Sequence, residues 1–117
     1  MKARASKPSP LSPPMLHILL ALAAEDLHGY GILQQIIRQS QGRYKLGPGT
    51  LYDNLKRLMD QNLVVDTPKS ALSSNEDRRL YRLTAQGRAM LSDELDRLHS
   101  VVREGRSRLR EARPKRA

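Results

Sequence analysis

The 117-residue chain has no cysteine, no phenylalanine and no tryptophan, and only four tyrosines. Without cysteine there is no disulfide framework, no thiolate metal site and no thiol nucleophile, and a reducing, cytoplasmic setting is expected. With so few rings, the core has to be built from Leu, Ile, Val, Ala and Met, which favours small packed helices. The length suits one domain. His17, His28 and His99 have no metal-ligand spacing. There is no glycine-rich phosphate loop, and no serine stands in a recognisable motif with a base, so neither an enzyme nor a bound cofactor is expected. Long apolar runs are also missing. Met15 to Ala24, MLHILLALAA, is too short to span a bilayer, and no membrane partner is expected. Behind a basic arm, this run imitates a secretory leader. His17 within it, Pro13-Pro14 at its mouth and the core's need for an apolar helix argue instead for a buried first helix.

The formal net charge is +9, but its placement matters more than its size. Residues 1–14 carry three basic and no acidic side chains, and residues 99–117 carry seven basic against two acidic. The segment between them carries eleven against ten. The excess therefore lies in the tails, and a nucleic-acid reading has to rest on where charges fall within the middle segment.

One stretch there organises the rest. In Lys45 to Val65, KLGPGTLYDNLKRLMDQNLVV, a Gly-Pro-Gly-Thr turn leads into a helix over 48–61. Leu51, Leu55, Leu58 and Met59 gather on one side. Gly49, Asp53, Lys56, Arg57 and Asp60 lie opposite, with Thr50, Tyr52 and Asn54 on the flanks. Asn62 can adopt the left-handed conformation that ends the helix. Lys56 and Arg57 are candidates for base edges or phosphates, while Gly49 and Thr50 offer an amide and a hydroxyl at the helix start. Tyr52 suits packing against the neighbouring hairpin as well as it suits a DNA contact. Lys45 precedes the helix, and Tyr30, at the start of the helix before it, is a further phosphate candidate.

Along the chain, residues 1–14 read as a disordered basic arm. His28 to Gly31 reads as a turn, followed by a helix carrying Ile32, Leu33, Ile36 and Ile37 to about Ser40. After the 48–61 helix, residues 63–67 and 79–83 form two β-compatible segments around a serine-rich tip, which reads as a hairpin. Its Lys69, Arg78, Arg79 and Arg82 are placed to reach phosphates or a minor groove. Thr84 caps a last helix in which Leu91, Leu95, Leu98, Val102 and Leu109 form a heptad seam, with Gly105 filling one slot. That seam predicts a homodimer, with packing back onto the first helix as the alternative. The chain is thus mainly α with a small β-hairpin: a winged helix-turn-helix over 15–83, a C-terminal dimerisation helix over 84–110 and a basic tail over 111–117.

These residues resemble the PadR-like transcriptional regulators. The resemblance is carried by His28-Gly29-Tyr30-Gly31-Ile32, by Gly49-Thr50-Leu51-Tyr52 with Leu55-Lys56-Arg57-Leu58, and by Tyr81-Arg82-Leu83-Thr84 with Gly87-Arg88 and Leu91. It implies a winged helix that binds operator DNA as a dimer, usually as a repressor, through a roughly palindromic site. In some members a small aromatic effector loosens DNA binding. This chain lacks the tryptophan of an aromatic sandwich, so an effector is unassigned. Asp53 departs from the basic or neutral residue more often found there, Leu80 stands where a second tyrosine is common, and Asn62 replaces a glycine. Asp53 is expected either to pair with Arg57 or to accept from a cytosine amino group. The alternative function is a winged-helix adaptor for proteins, or a small-molecule sensor without its own operator.

Overall fold

The computed structural model describes residues 11–67 and 79–112. Helix α1 spans Pro13–Leu22, β1 Leu27–His28, α2 Gly29–Gln39 and α3 Pro48–Asp60. They are followed by β2 Val64–Thr67, β3 Leu80–Leu83 and α4 Ala85–Glu111.

Ser12 starts α1, its Oγ accepting from the Met15 amide at 3.4 Å, while the two prolines occupy the first turn, where no amide donor is missed. This moves the start of the fold ahead of the expected boundary at residue 14. Leu11 packs against the core, and its backbone amide lies near enough to Glu94 to favour the charged carboxylate. Residues 1–10 of the expected arm lie outside the described residues. Ile18, Leu19, Ala21 and Leu22 of α1 are buried, and the helix touches α2, α3, α4 and β3. The run that imitates a leader is therefore the centre of the core. Among the described residues no helix is long and apolar enough to cross a membrane.

The expected turn at His28 is instead a short strand. Leu27 and His28 pair antiparallel with Tyr81 and Leu80, giving a three-stranded sheet in the order β1-β3-β2 rather than a bare hairpin. Two residues carry too little alternation to announce a strand, and their ladder bonds come from a partner more than fifty positions away. On its other edge β3 pairs with β2, Val64 opposite Leu83 and Thr67 opposite Leu80.

The core is aliphatic apart from Tyr81: Ile32 and Ile36 from α2, Leu51, Leu55 and Leu58 from α3, then Leu63, Val64, Leu83 and Leu91 close around α1. Burial pushes the Tyr81 hydroxyl above the ordinary phenol range, with the nearby Tyr52 adding to it. Asn62 takes φ 63° at the end of α3, as its position after the last apolar residue requires. Thr84 then joins three elements. Its Oγ1 accepts from the Gly87 amide at 2.8 Å, the same hydroxyl donates to the Asn62 carbonyl at 2.8 Å, and its amide donates to Leu63 at 3.1 Å.

Candidate nucleic-acid interface

Helix α3 is fixed in rotation by Leu51, Leu55 and Leu58, each at most 1% exposed. With those three turned inward, Asp53, Lys56, Arg57 and Asp60 are exposed on the far side, and Gly49 and Thr50 are exposed at its start. Among the described residues neither the Lys56 nor the Arg57 side chain forms an ion pair or hydrogen bond. The Asp53–Arg57 pair allowed by their spacing is therefore not made, and both charges face solvent. Asn54 behaves differently from expectation: it is half-buried, and its Nδ2 donates back to the Thr50 carbonyl at 2.8 Å. One of its two amide protons is thus engaged by its own helix.

The segment before α3 is held in shape rather than loose. Gln41 and Gly42 both take left-handed backbone, at φ 52° and 78°. Ser40 Oγ accepts from the Tyr44 amide at 3.0 Å. The Tyr44 ring stacks on His17 at 4.3 Å, and Gln39 donates to the His17 carbonyl at 3.0 Å. Burial holds His17 below the ordinary imidazole pKa. This anchoring positions exposed Lys45 immediately ahead of α3.

Of the two flanking tyrosines, Tyr30 at the start of α2 is 71% exposed, and its hydroxyl accepts from Gln34 at 3.0 Å. It keeps its own proton to donate outward. Tyr52 reaches back so that its hydroxyl lies against Gly29, where a side chain would collide with it, and close enough to Tyr81 to affect that hydroxyl. It packs α3 against α2 and the sheet, and part of the ring stays exposed.

Two of the hairpin's cations, Arg79 and Arg82, are paired within the protomer while their side chains stay about half exposed. Arg79 donates to Asp66 at 2.6 Å across the hairpin. Arg82 donates twice to Asp26, at 2.9 and 3.0 Å, and this hydrogen bond holds the guanidinium above its ordinary pKa. The pair ties the β-sheet to the segment after α1. Asp26 and Asp66 are the residues that sequence reasoning missed, because the partners lie 56 and 13 positions away. Lys69 and Arg78 lie outside the described residues.

Helix α4 divides in two. Leu91 is only 4% exposed and belongs to the protomer's own core, which removes it from the expected seam. Glu94 beside it is 8% exposed. Two hydrogen bonds from Arg97, at 2.8 and 3.1 Å, hold the Glu94 carboxyl below the usual glutamate range, with the Leu11 amide helping. Beyond this point Leu95, Val101, Val102 and Leu109 are exposed, Leu109 by 78%, and Leu98 is half-covered. Val101 widens the apolar strip outside the strict heptad. The expected division between residues 83 and 84 does not fall between separate bodies, since the first turns of α4 complete the core. The helix runs to Glu111, and residues 113–117 of the expected tail lie outside the described residues. Among the described residues no group of three His, Cys, Asp or Glu could hold a metal ion.

Helices α1 to α3 followed by an antiparallel wing, with α3 exposed beside it, define a winged helix-turn-helix. The chain belongs to the transcriptional regulator PadR-like family, whose model matches residues 18–93. The transcriptional regulator Rv3488 of Mycobacterium tuberculosis is 36% identical over 89 residues, covering 76% of this chain and 78% of its own. A PadR family transcription regulator from hypervirulent Clostridium difficile superposes with TM-score 0.71 at 26% identity, covering 84% of this chain and 99% of that one. Bacillus subtilis PadR, solved in complex with operator DNA, superposes with TM-score 0.61 at 25% identity over 69% of this chain and 45% of that chain.

Proposed function

We propose that this regulator represses transcription by binding a roughly palindromic operator as a homodimer in the cytoplasm, each protomer laying α3 in a major groove. The observation that carries the reading is the unpartnered pair Lys56 and Arg57, among the described residues, on a helix whose opposite face is locked into the core. A cation left unpaired on a rigid rod is available to a phosphate or a base edge without breaking an ion pair first. Lys45, Thr50 and the Gly49 amide extend this surface along the start of α3, and Tyr30 adds an outward hydroxyl. The operator complex of the Bacillus subtilis relative supports the choice of duplex DNA as partner.

The wing flanks this surface. Arg79 and Arg82, fixed in place by Asp66 and Asp26 and still about half exposed, supply positioned positive charge beside α3 for flanking phosphates. Dimerisation is supported by the apolar strip of α4 from Leu95 to Leu109, which its own domain leaves uncovered. Two-fold symmetry then sets half-sites about one helical turn of DNA apart. A dimer seated on an operator that overlaps a promoter blocks polymerase, so repression is the direct consequence.

The test is fluorescence anisotropy with duplex from the region upstream of the protein's own coding sequence, titrated at several salt concentrations. Lys56→Ala and Arg57→Ala are expected to weaken binding. Where the removed cation sits on a phosphate, the slope of log K against log salt should shrink in magnitude by about one. Wild-type affinity and slope in both variants would overturn the assignment. No salt-sensitive binding at all would favour a winged helix that docks on protein.

A further inference from the structure

An acid stands at the centre of the proposed DNA-facing surface. Successive helical residues are offset by about 100°, which places Asp53 within about 15° of the direction opposite the mean of Leu51, Leu55 and Leu58. Lys56 and Arg57 lie to either side of that line, one turn further on. A helix seated in a major groove turns its central line toward the floor, where the base edges are, and its flanks toward the two phosphate walls. The flanking cations therefore match the walls, and Asp53 matches the floor. The preceding residue on the same line is Gly49, which is exposed and has open space where a side chain would project. Nothing at the leading end of the helix holds Asp53 away from the bases.

Nor does the protomer neutralise it. Among the described residues the Asp53 carboxylate has no ion pair or hydrogen bond, although Arg57 stands at a spacing that would permit one. Against phosphates such a group is repelled. Against base edges it can only accept, and the major groove offers two amino donors, adenine N6 and cytosine N4. Adenine N6 sits beside the N7 acceptor of the same base, which repels a carboxylate, whereas cytosine N4 sits beside a C–H edge. We infer that Asp53 is the base-reading residue of α3, accepting a hydrogen bond from the N4 amino group of one cytosine in each half-site. The inference rests on the DNA-binding reading.

The experiment selects duplexes from a random pool with the wild-type protein and with Asp53→Ala, then measures anisotropy on the selected duplex and its single-pair substitutions. Asp53 is exposed on a helix, so the variant is expected to keep the wild-type circular dichroism and melting curve. For the wild type, replacing one particular C·G pair per half-site by T·A should weaken binding about tenfold. For Asp53→Ala the two duplexes should bind within about twofold of each other, with preferences elsewhere in the site retained. An alanine variant that selects the same consensus with undiminished discrimination at every position would overturn the inference. A wild-type protein that selects no consensus would refute the DNA reading itself, and this inference with it.

Discussion

Replacing Leu95 and Leu98 by aspartate is expected to convert a dimer into monomers of 13.2 kDa without unfolding the protomer. Leu95 is 41% exposed and Leu98 half-covered, so neither is fully committed to the protomer's own core. From Leu95 onward α4 continues for more than four turns, about 25 Å, past the body it is attached to. An apolar strip on such a helix is stable only if something covers it, and a second copy supplies the same strip. The double substitution puts four carboxylates into one dimer seam. A partner can cover at most about two-fifths of each leucine, so losing roughly 0.5–1 kcal/mol of apolar burial at each of the four positions costs about two decades in affinity, before any charge penalty. Sedimentation velocity at micromolar concentration reads the result. A wild type at twice the chain mass and a variant at one chain mass are expected, and a variant that remains dimeric contradicts the seam. Leu91, one turn earlier, is unsuited to this test because its loss would open the protomer core.

Gly87→Ala is expected to be strongly destabilising for the addition of a single methyl. A Cβ at this position would collide with the Leu63 carbonyl oxygen and come within 2.9 Å of both the Leu63 carbonyl carbon and Leu83 Cδ1. That carbonyl cannot move aside, because it accepts from the Thr84 amide at 3.1 Å and belongs to a residue whose own amide bonds Leu58 at 2.9 Å. Relief requires α4 to lift away from the sheet, which disrupts the Thr84 cap and the Arg88 bond to the Ala23 carbonyl. The expected loss is about 2–4 kcal/mol, against a gain of up to about 1 kcal/mol that alanine brings to a helix interior. Gly105→Ala, where nothing of the protomer lies within 4 Å, shows that gain together with any effect of a methyl in the α4 seam. Thermal melts should fall by about 10 °C or more for Gly87→Ala and stay level or rise for Gly105→Ala. A Gly87→Ala protein that melts with the wild type would show that α4 does not sit on the sheet this closely.

The parts legible in the sequence are those fixed by local chemistry. The apolar spacing of Leu51, Leu55 and Leu58 sets the orientation of α3, and the proline and asparagine at its ends set its limits. Thr84 reads as a cap from its position ahead of the last helix, and its hydroxyl occupies that role. The illegible parts depend on distant partners. The strand at Leu27–His28 exists because β3 offers it an edge. Arg79 and Arg82 look free in sequence, yet each meets an aspartate that the fold brings alongside. The heptad spacing of α4 identifies an apolar face but not how much of it the core already covers, which is why spacing alone places Leu91 in the seam. Ser12 and Leu11 sit in a proline-rich stretch whose composition resembles disorder. Tyr52 fits either role in sequence, and its packing on Gly29 depends on a close approach between α2 and α3 that spacing does not show.

In the proposed complex, two copies joined through α4 place two α3 helices on one duplex. Multi-angle light scattering of the purified complex with duplex from the upstream region measures this directly. Two chains per duplex are expected for the wild type, and no such complex at the same concentrations when Leu95 and Leu98 are aspartates. A wild-type complex of one chain per duplex, or a full-strength complex formed by the monomeric variant, would contradict it.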